Sequence, residues 1–240
     1  MTTRAQARGA RGKGIGAAFG ERYRDVVASI YIYNEHRGYT SLDRVLAAAR
    51  QVCPQDTAFI AAVAKHRADE RKHYLMFKTW FERQGRMPLA TGRGYGHIDR
   101  FITMVFGCTI EQLDVSEVVA DPALFERLCR VIVLTEQRGL AQVEVLLRNR
   151  LIRADPAMHR IFAVVHKDEP SHFLPYAAWL ARGRKAPPLW RERLADACIH
   201  KVLLLAKLPA LFFHAGAQRL AEWPDAGEER PAPSQAKLAG

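Results

Sequence analysis

Two short stretches carry the side chains with the most evident chemistry. Ala68-Asp69-Glu70-Arg71-Lys72-His73 and His166-Lys167-Asp168-Glu169-Pro170-Ser171-His172 both read Asp-Glu-x-x-His. Residues three apart on a helix share a face, so Glu70 with His73, and Glu169 with His172, can converge on one cation. With 14 Glu and 9 His in 240 residues, composition alone gives roughly half an occurrence of Glu-x-x-His, and the chain has two. Carboxylate oxygens mixed with imidazole nitrogens, with no thiolate recruited, suit iron or manganese better than zinc.

Each pair follows another carboxylate at a helix-hairpin distance. Glu35 opens Glu35-His36-Arg37-Gly38 and Glu136 opens Glu136-Gln137-Arg138-Gly139. The spacings from Glu35 to Glu70 and from Glu136 to Glu169 are thirty-five and thirty-three residues, enough for a helix, a tight turn and the way back. Glu35 sits in the apolar stripe Ala28, Tyr31, Ile32, Tyr39, Leu42, Leu46, where a lone carboxylate is out of place. Burying an ionised carboxylate without a partner costs several kcal/mol, and a shared cation removes that cost. Gly38 and Gly139, three residues beyond Glu35 and Glu136, leave room beside the site, either for a channel or for close helix packing.

Glu35, Glu70, His73, Glu136, Glu169 and His172 form the pattern of one carboxylate from each of two helices plus Glu-x-x-His from two others. In this the chain resembles the ferritin-like di-iron carboxylate superfamily over residues 20 to 182. The resemblance implies a four-helix bundle with a long crossover connection, two iron ions or a manganese–iron pair, and these six residues as metal ligands. The leading Asp of each motif is similar to the oxygen-activating branch, which includes ribonucleotide reductase small subunits, bacterial multicomponent monooxygenases and soluble acyl carrier desaturases. There Asp69 and Asp168 would hydrogen-bond ligand imidazoles from behind. His66 lies one turn before Glu70, nearly in line with it. A third imidazole ligand would resemble the di-iron N-oxygenases, but the expectation adopted is a supporting or core histidine. Tyr176, one turn past His172, reads as a core aromatic.

The elements that must position these groups are helices, and the class expected is all-α. Helical periodicity runs from about Phe19 to Arg50, and a second helix from 56 to 84 follows the turn signals Pro54 and Asp56. A loop and a short helix, His97 to Phe106, lead to Asp121-Pro122, which reads as an N-cap with proline at the first helical position. That third helix reaches about Ile152. Asp155-Pro156 starts a fourth, to about Ala181, with Pro170 and Pro175 expected to kink it near the ligands. A fifth apolar helix is expected from Trp190 to Trp223. The domain is expected to span 19–223, between a disordered basic tail (1–18) and a flexible C-terminal tail (224–240).

Composition bounds the rest. A chain that is 49% hydrophobic with no run of eighteen apolar residues is not expected to span a membrane, and no apolar segment follows the basic N-terminus to make a secretory signal. Cys53, Cys108, Cys129 and Cys198 show no close pairing, which fits free thiols in a cytoplasmic protein. The formal charge of +11 permits an anionic partner. The basic residues are spread without an aromatic motif, so nucleic acid is disfavoured. The expected function is dioxygen-dependent oxidation of a small or carrier-bound organic substrate, served by an electron-donor protein, with a homodimer allowed. Alternatives are a ferroxidase or iron-handling protein, and a tRNA-modifying di-iron hydroxylase.

Overall fold

A computed structural model describes residues 14–183 and 185–226. Apart from one bridge between Leu89 and Arg219, the regular structure among these residues is helical. The long helices are α1 (Ile15–Val52), α2 (Thr57–Arg83), α5 (Pro122–Arg148), α7 (Pro156–Asp168) and α8 (Pro170–Arg182). The others are α3 (His97–Phe106), α4 (Val115–Ala120), α6 (Arg150–Arg153), α9 (Trp190–Val202) and α10 (Leu208–Phe213).

The start signals act as their chemistry requires. Asp56 accepts from Phe59 N at the head of α2, and Asp121 and Asp155 accept from Ala123 N and from Ala157 N and Met158 N behind Pro122 and Pro156. Each bond satisfies an amide that the first helical turn leaves without a partner. Asp155 also accepts from Trp80 Nε1 at 3.0 Å, tying the end of α2 to the start of α7. Gly85, at φ 63°, ends α2 in the left-handed region that favours glycine.

The turn at residues 53–56 folds α2 back along α1. Helix α5 packs along α8 and α7, and α2 joins the halves by packing on α7 and α8. Along α2 the buried face reads Phe59, Val63, then His66, Glu70, His73, then Phe77, Phe81. Along α7 and α8 it reads Phe162, Val165, then Glu169, His172, then Tyr176, Leu180. A polar layer is therefore held between two apolar clusters. One contains Leu42, Phe59, Phe125, Ile132 and Tyr176, and the other Ile32, Tyr74, Phe77, Val143 and Phe162. Each such side chain contributes about 1.5–3 kcal/mol by leaving water, so the layers on both sides fix the polar one in place.

Several expectations are corrected. Helix α1 begins at Ile15, so 15–18 belong to it and not to a tail, while 1–13 lie outside the described residues. The expected fourth helix is assigned as two, meeting at Glu169, because Pro170 supplies no N–H to continue the ladder. The fifth helix stops at Phe213 instead of Trp223, and Leu203–Lys207 within it is π-helical. Beyond it the chain is held by tertiary contacts. Arg219 forks onto buried Asp25 at 2.7 and 3.1 Å, and Leu220 N donates to Pro88 O at 3.0 Å. Asp225, expected in a flexible tail, accepts from Tyr74 Oη at 2.6 Å and Lys78 Nζ at 2.7 Å, and the rest of that expected tail, 227–240, lies outside the described residues. No helix among the described residues is long and apolar enough to cross a membrane.

Candidate metal centre

The six expected ligands come together from four elements, and His66 joins them. Glu35 comes from α1; His66, Glu70 and His73 from α2; Glu136 from α5; Glu169 and His172 from the junction of α7 and α8. Donor atoms of Glu35, Glu70 and His73 lie within 4.8 Å of one another, as do those of His66, Glu70, Glu136 and His172. Glu70 belongs to both groups and stands between them. Glu169 lies alongside, its Oε2 3.8 Å from His172 Nδ1.

His66 lies within the donor cluster itself. Its Nε2 is 3.6 Å from Glu70 Oε1 and 3.9 Å from Glu136 Oε1, and its ring stacks on His172 at 4.2 Å. Its Nδ1 lies 3.2 Å from Tyr176 Oη. With Nδ1–H donated to that oxygen, the lone pair on Nε2 faces the carboxylates. Tyr176 is thus both core aromatic and partner of His66.

The two Asp residues act across the site. His73 Nε2 hydrogen-bonds Asp168 Oδ2 at 3.0 Å, and His172 Nε2 faces Asp69 Oδ2 at 3.5 Å. Each motif's aspartate therefore serves the other motif's histidine. Lys72 Nζ donates to both, at 2.7 Å to Asp69 and 2.6 Å to Asp168, and Lys65 also donates to Asp69. Burial alone would raise the two Asp carboxyls, but the imidazole and lysine donors outweigh it and hold both below the usual range. Fixed as anions, Asp168 holds the His73 ring and Asp69 faces the His172 ring, with each Nδ1 turned to the Glu residues.

The inner carboxyls behave in the opposite way. Burial, reinforced by neighbouring carboxylates, pushes Glu35 and Glu70 up to about 8, Glu136 up to about 7, and Glu169 well above its ordinary value. Burial also lowers His66 to about 3 and depresses His172, keeping both rings neutral and able to ligate. Glu35 Oε2, His66 Nε2, His73 Nδ1, Glu169 Oε2 and His172 Nδ1 are buried with no hydrogen-bond partner among the described residues. One such atom costs about 1–3 kcal/mol, and five aimed at a common centre fit a site built for cations.

A repeated Glu-x-Arg-Gly motif supports this layer, a role that the sequence did not disclose. Arg37 donates through Nε to Asp99 of α3 at 3.0 Å, and Arg138 donates through Nε to Asp196 of α9 at 2.9 Å. Each arginine, two residues beyond a carboxylate donor, ties its hairpin to a further helix, α3 or α9. A Cβ on Gly38 would stand 2.1 Å from Glu70 Oε2, and one on Gly139 would stand 3.2 Å from Glu169 Oε1. Gly38 therefore gives space to the shared carboxylate. Gly38→Ala is expected to displace Glu70 and lower bound metal at least tenfold at limiting metal, whereas Gly139→Ala should have a smaller effect. Elemental analysis after dialysis measures both, and equal metal retention in wild type and Gly38→Ala would contradict the reading.

Beside the donors lies a cavity of about 490 Å³, whose walls are mainly aliphatic. Glu35, His66, Glu70, Glu136 and Glu169 all reach it. Compared with protein-family models, with curated proteins and with solved structures, the chain finds no match.

Proposed function

We propose that this chain is a ferritin-like di-metal oxidoreductase, with α1, α2, α5 and the α7–α8 pair as its four-helix bundle. The observation that carries the reading is the convergence of buried, unpartnered carboxylate and imidazole atoms from α1, α2 and the α7–α8 pair, joined by half-buried Glu136 of α5, beside an organic-sized cavity. One ion would be held by Glu35, Glu70 and His73. The other would be held by Glu70, Glu136 and His172, with His66 and Glu169 completing the donor set. Two bound iron ions, or a manganese–iron pair, supply Lewis acidity and electrons for activating dioxygen.

The residues of the chain do the rest. The four glutamates yield their protons as cations arrive, since burial had held those protons in place. Asp69 and Asp168, clamped by Lys72, keep His172 and His73 from rotating. The aliphatic wall excludes water from the reacting face and admits an organic substrate. That wall favours substrate oxidation over iron storage, because a store needs a polar path for cations. An electron-donor protein is implied by the need to re-reduce the centre.

The test is anaerobic loading with ferrous iron, then exposure to air. About two ions per chain and dioxygen uptake with a change in visible absorbance are expected. A loaded protein that consumes no dioxygen would sink the oxidase reading, and a scattering mass of a large hollow shell would favour iron handling.

A further inference from the structure

We infer that the cavity beside the donors binds an unbranched aliphatic chain with its polar end at the mouth. The position of that chain relative to metal rests on the proposed centre, but its binding does not.

The cavity is a gap between two helices. Helices α1 and α5 carry Glu35 and Glu136 yet hardly touch each other, and α3, α4 and the π-helical turn lie over the space between them. Cavity-lining residues on α5 run from Leu128 to Leu146. At 1.5 Å per residue that stretch is about 27 Å long. A volume of about 490 Å³ spread over that length is narrow, which suits a chain and not a fused ring system.

The two ends differ. The inner end is closed by Ala48, Val118 and Leu128, each 4% exposed or less. Apart from half-buried Arg44, one turn before Ala48 on the wall, the side chains at this end are apolar and suit an alkyl tip. At the other end Val145 and Leu204 line the cavity while 65% and 46% exposed, so this end opens to solvent. Just inside the mouth Gln142 Nε2 and His200 Nδ1 are 2.8 Å apart and both line the wall. They offer hydrogen bonds to a carboxylic, ester or amide end group. Between mouth and inner end lie Glu35 and Glu136, so the middle of a threaded chain, and not its tip, rests against the donors.

Octanoic, dodecanoic and hexadecanoic acids, titrated into the full chain by calorimetry, test this. Affinity is expected to rise about tenfold for each two methylenes until the inner end is filled. Ala48→Phe should weaken hexadecanoic acid at least tenfold and leave octanoic acid unchanged. Val145→Trp, a surface change at the mouth, should slow association of all three. Affinity independent of length, equal weakening of all acids by Ala48→Phe, or tighter binding of a rigid steroid would each overturn the inference. Iron content is measured on the same samples. Chains that bind where iron does not would sink the metal centre and leave this inference standing, and the reverse result would do the opposite.

Discussion

Glu70→Gln is expected to strip metal from both positions while making the metal-free protein more stable. Glu70 is the carboxylate common to the two donor groups, so its loss removes a ligand from each, whereas Glu136→Gln removes one from a single group. In the metal-free fold Glu70 is pushed up to about 8 by burial and by Glu35. Near pH 7 folding must therefore drive a proton onto a group that is ionised when unfolded. An amide of the same shape needs no such proton, and relief of about 3 kcal/mol follows. For a chain of this size that is a melting temperature higher by roughly 6–12 °C. The two readouts move in opposite directions, which separates a functional carboxylate from a structural one. Metal content below a tenth of wild type, with a raised metal-free melting temperature, is the expected pair. A variant that keeps its metal, or that melts lower than the metal-free wild type, would refute the shared-ligand assignment.

The same carboxylates show how far the sequence could be read. Glu35, Glu70, His73, Glu136, Glu169 and His172 were legible because periodicity puts each on an apolar face, where an unpaired polar group needs an explanation. The Asp-Pro helix starts were legible because an N-cap is a local event. His66 was not separable in role, since helical spacing fixes which face a residue takes but not whether its ring nitrogen meets a cation or a neighbour. The outcome depended on Tyr176, 110 residues away, taking the other nitrogen. The crossed pairs His73–Asp168 and His172–Asp69 were equally hidden, because each depends on how α2 faces the α7–α8 junction. The end of the fifth helix differs from its local sequence signal for the converse reason. His214–Trp223 contains enough Ala, Leu and Gln to look helical, yet the pairing of Arg219 with Asp25 and of Leu220 with Pro88 draws the chain into another path. Tertiary contacts overrode local propensity there.

The metal-free protein should lose stability as pH rises from about 6.5 to 8, and bound metal should reverse that trend. An ordinary Glu titrates near 4.5, whereas Glu35 and Glu70 in the fold titrate near 8 and Glu136 near 7. Above the ordinary value the unfolded chain has released these protons and the folded one still holds them. The folded state therefore binds more protons, and stability falls with pH until the folded groups ionise. His66 and His172 act with the opposite sign, because depressed imidazoles cost stability as pH falls below about 6.5. Asp69 and Asp168 contribute only in the acid range. Between about 6.5 and 8 the glutamates dominate, and a decline of about 3 kcal/mol, or roughly 6–12 °C, is expected for metal-free protein. Cations compete with those protons, so their affinity rises over the same interval and the gap between metal-bound and metal-free melting curves widens. Calorimetric melting at several pH values, with and without ferrous or manganous ion under anaerobic conditions, measures both. A metal-free melting temperature that is flat or rising over this window would show that the four glutamates do not share one buried, mutually repelling site.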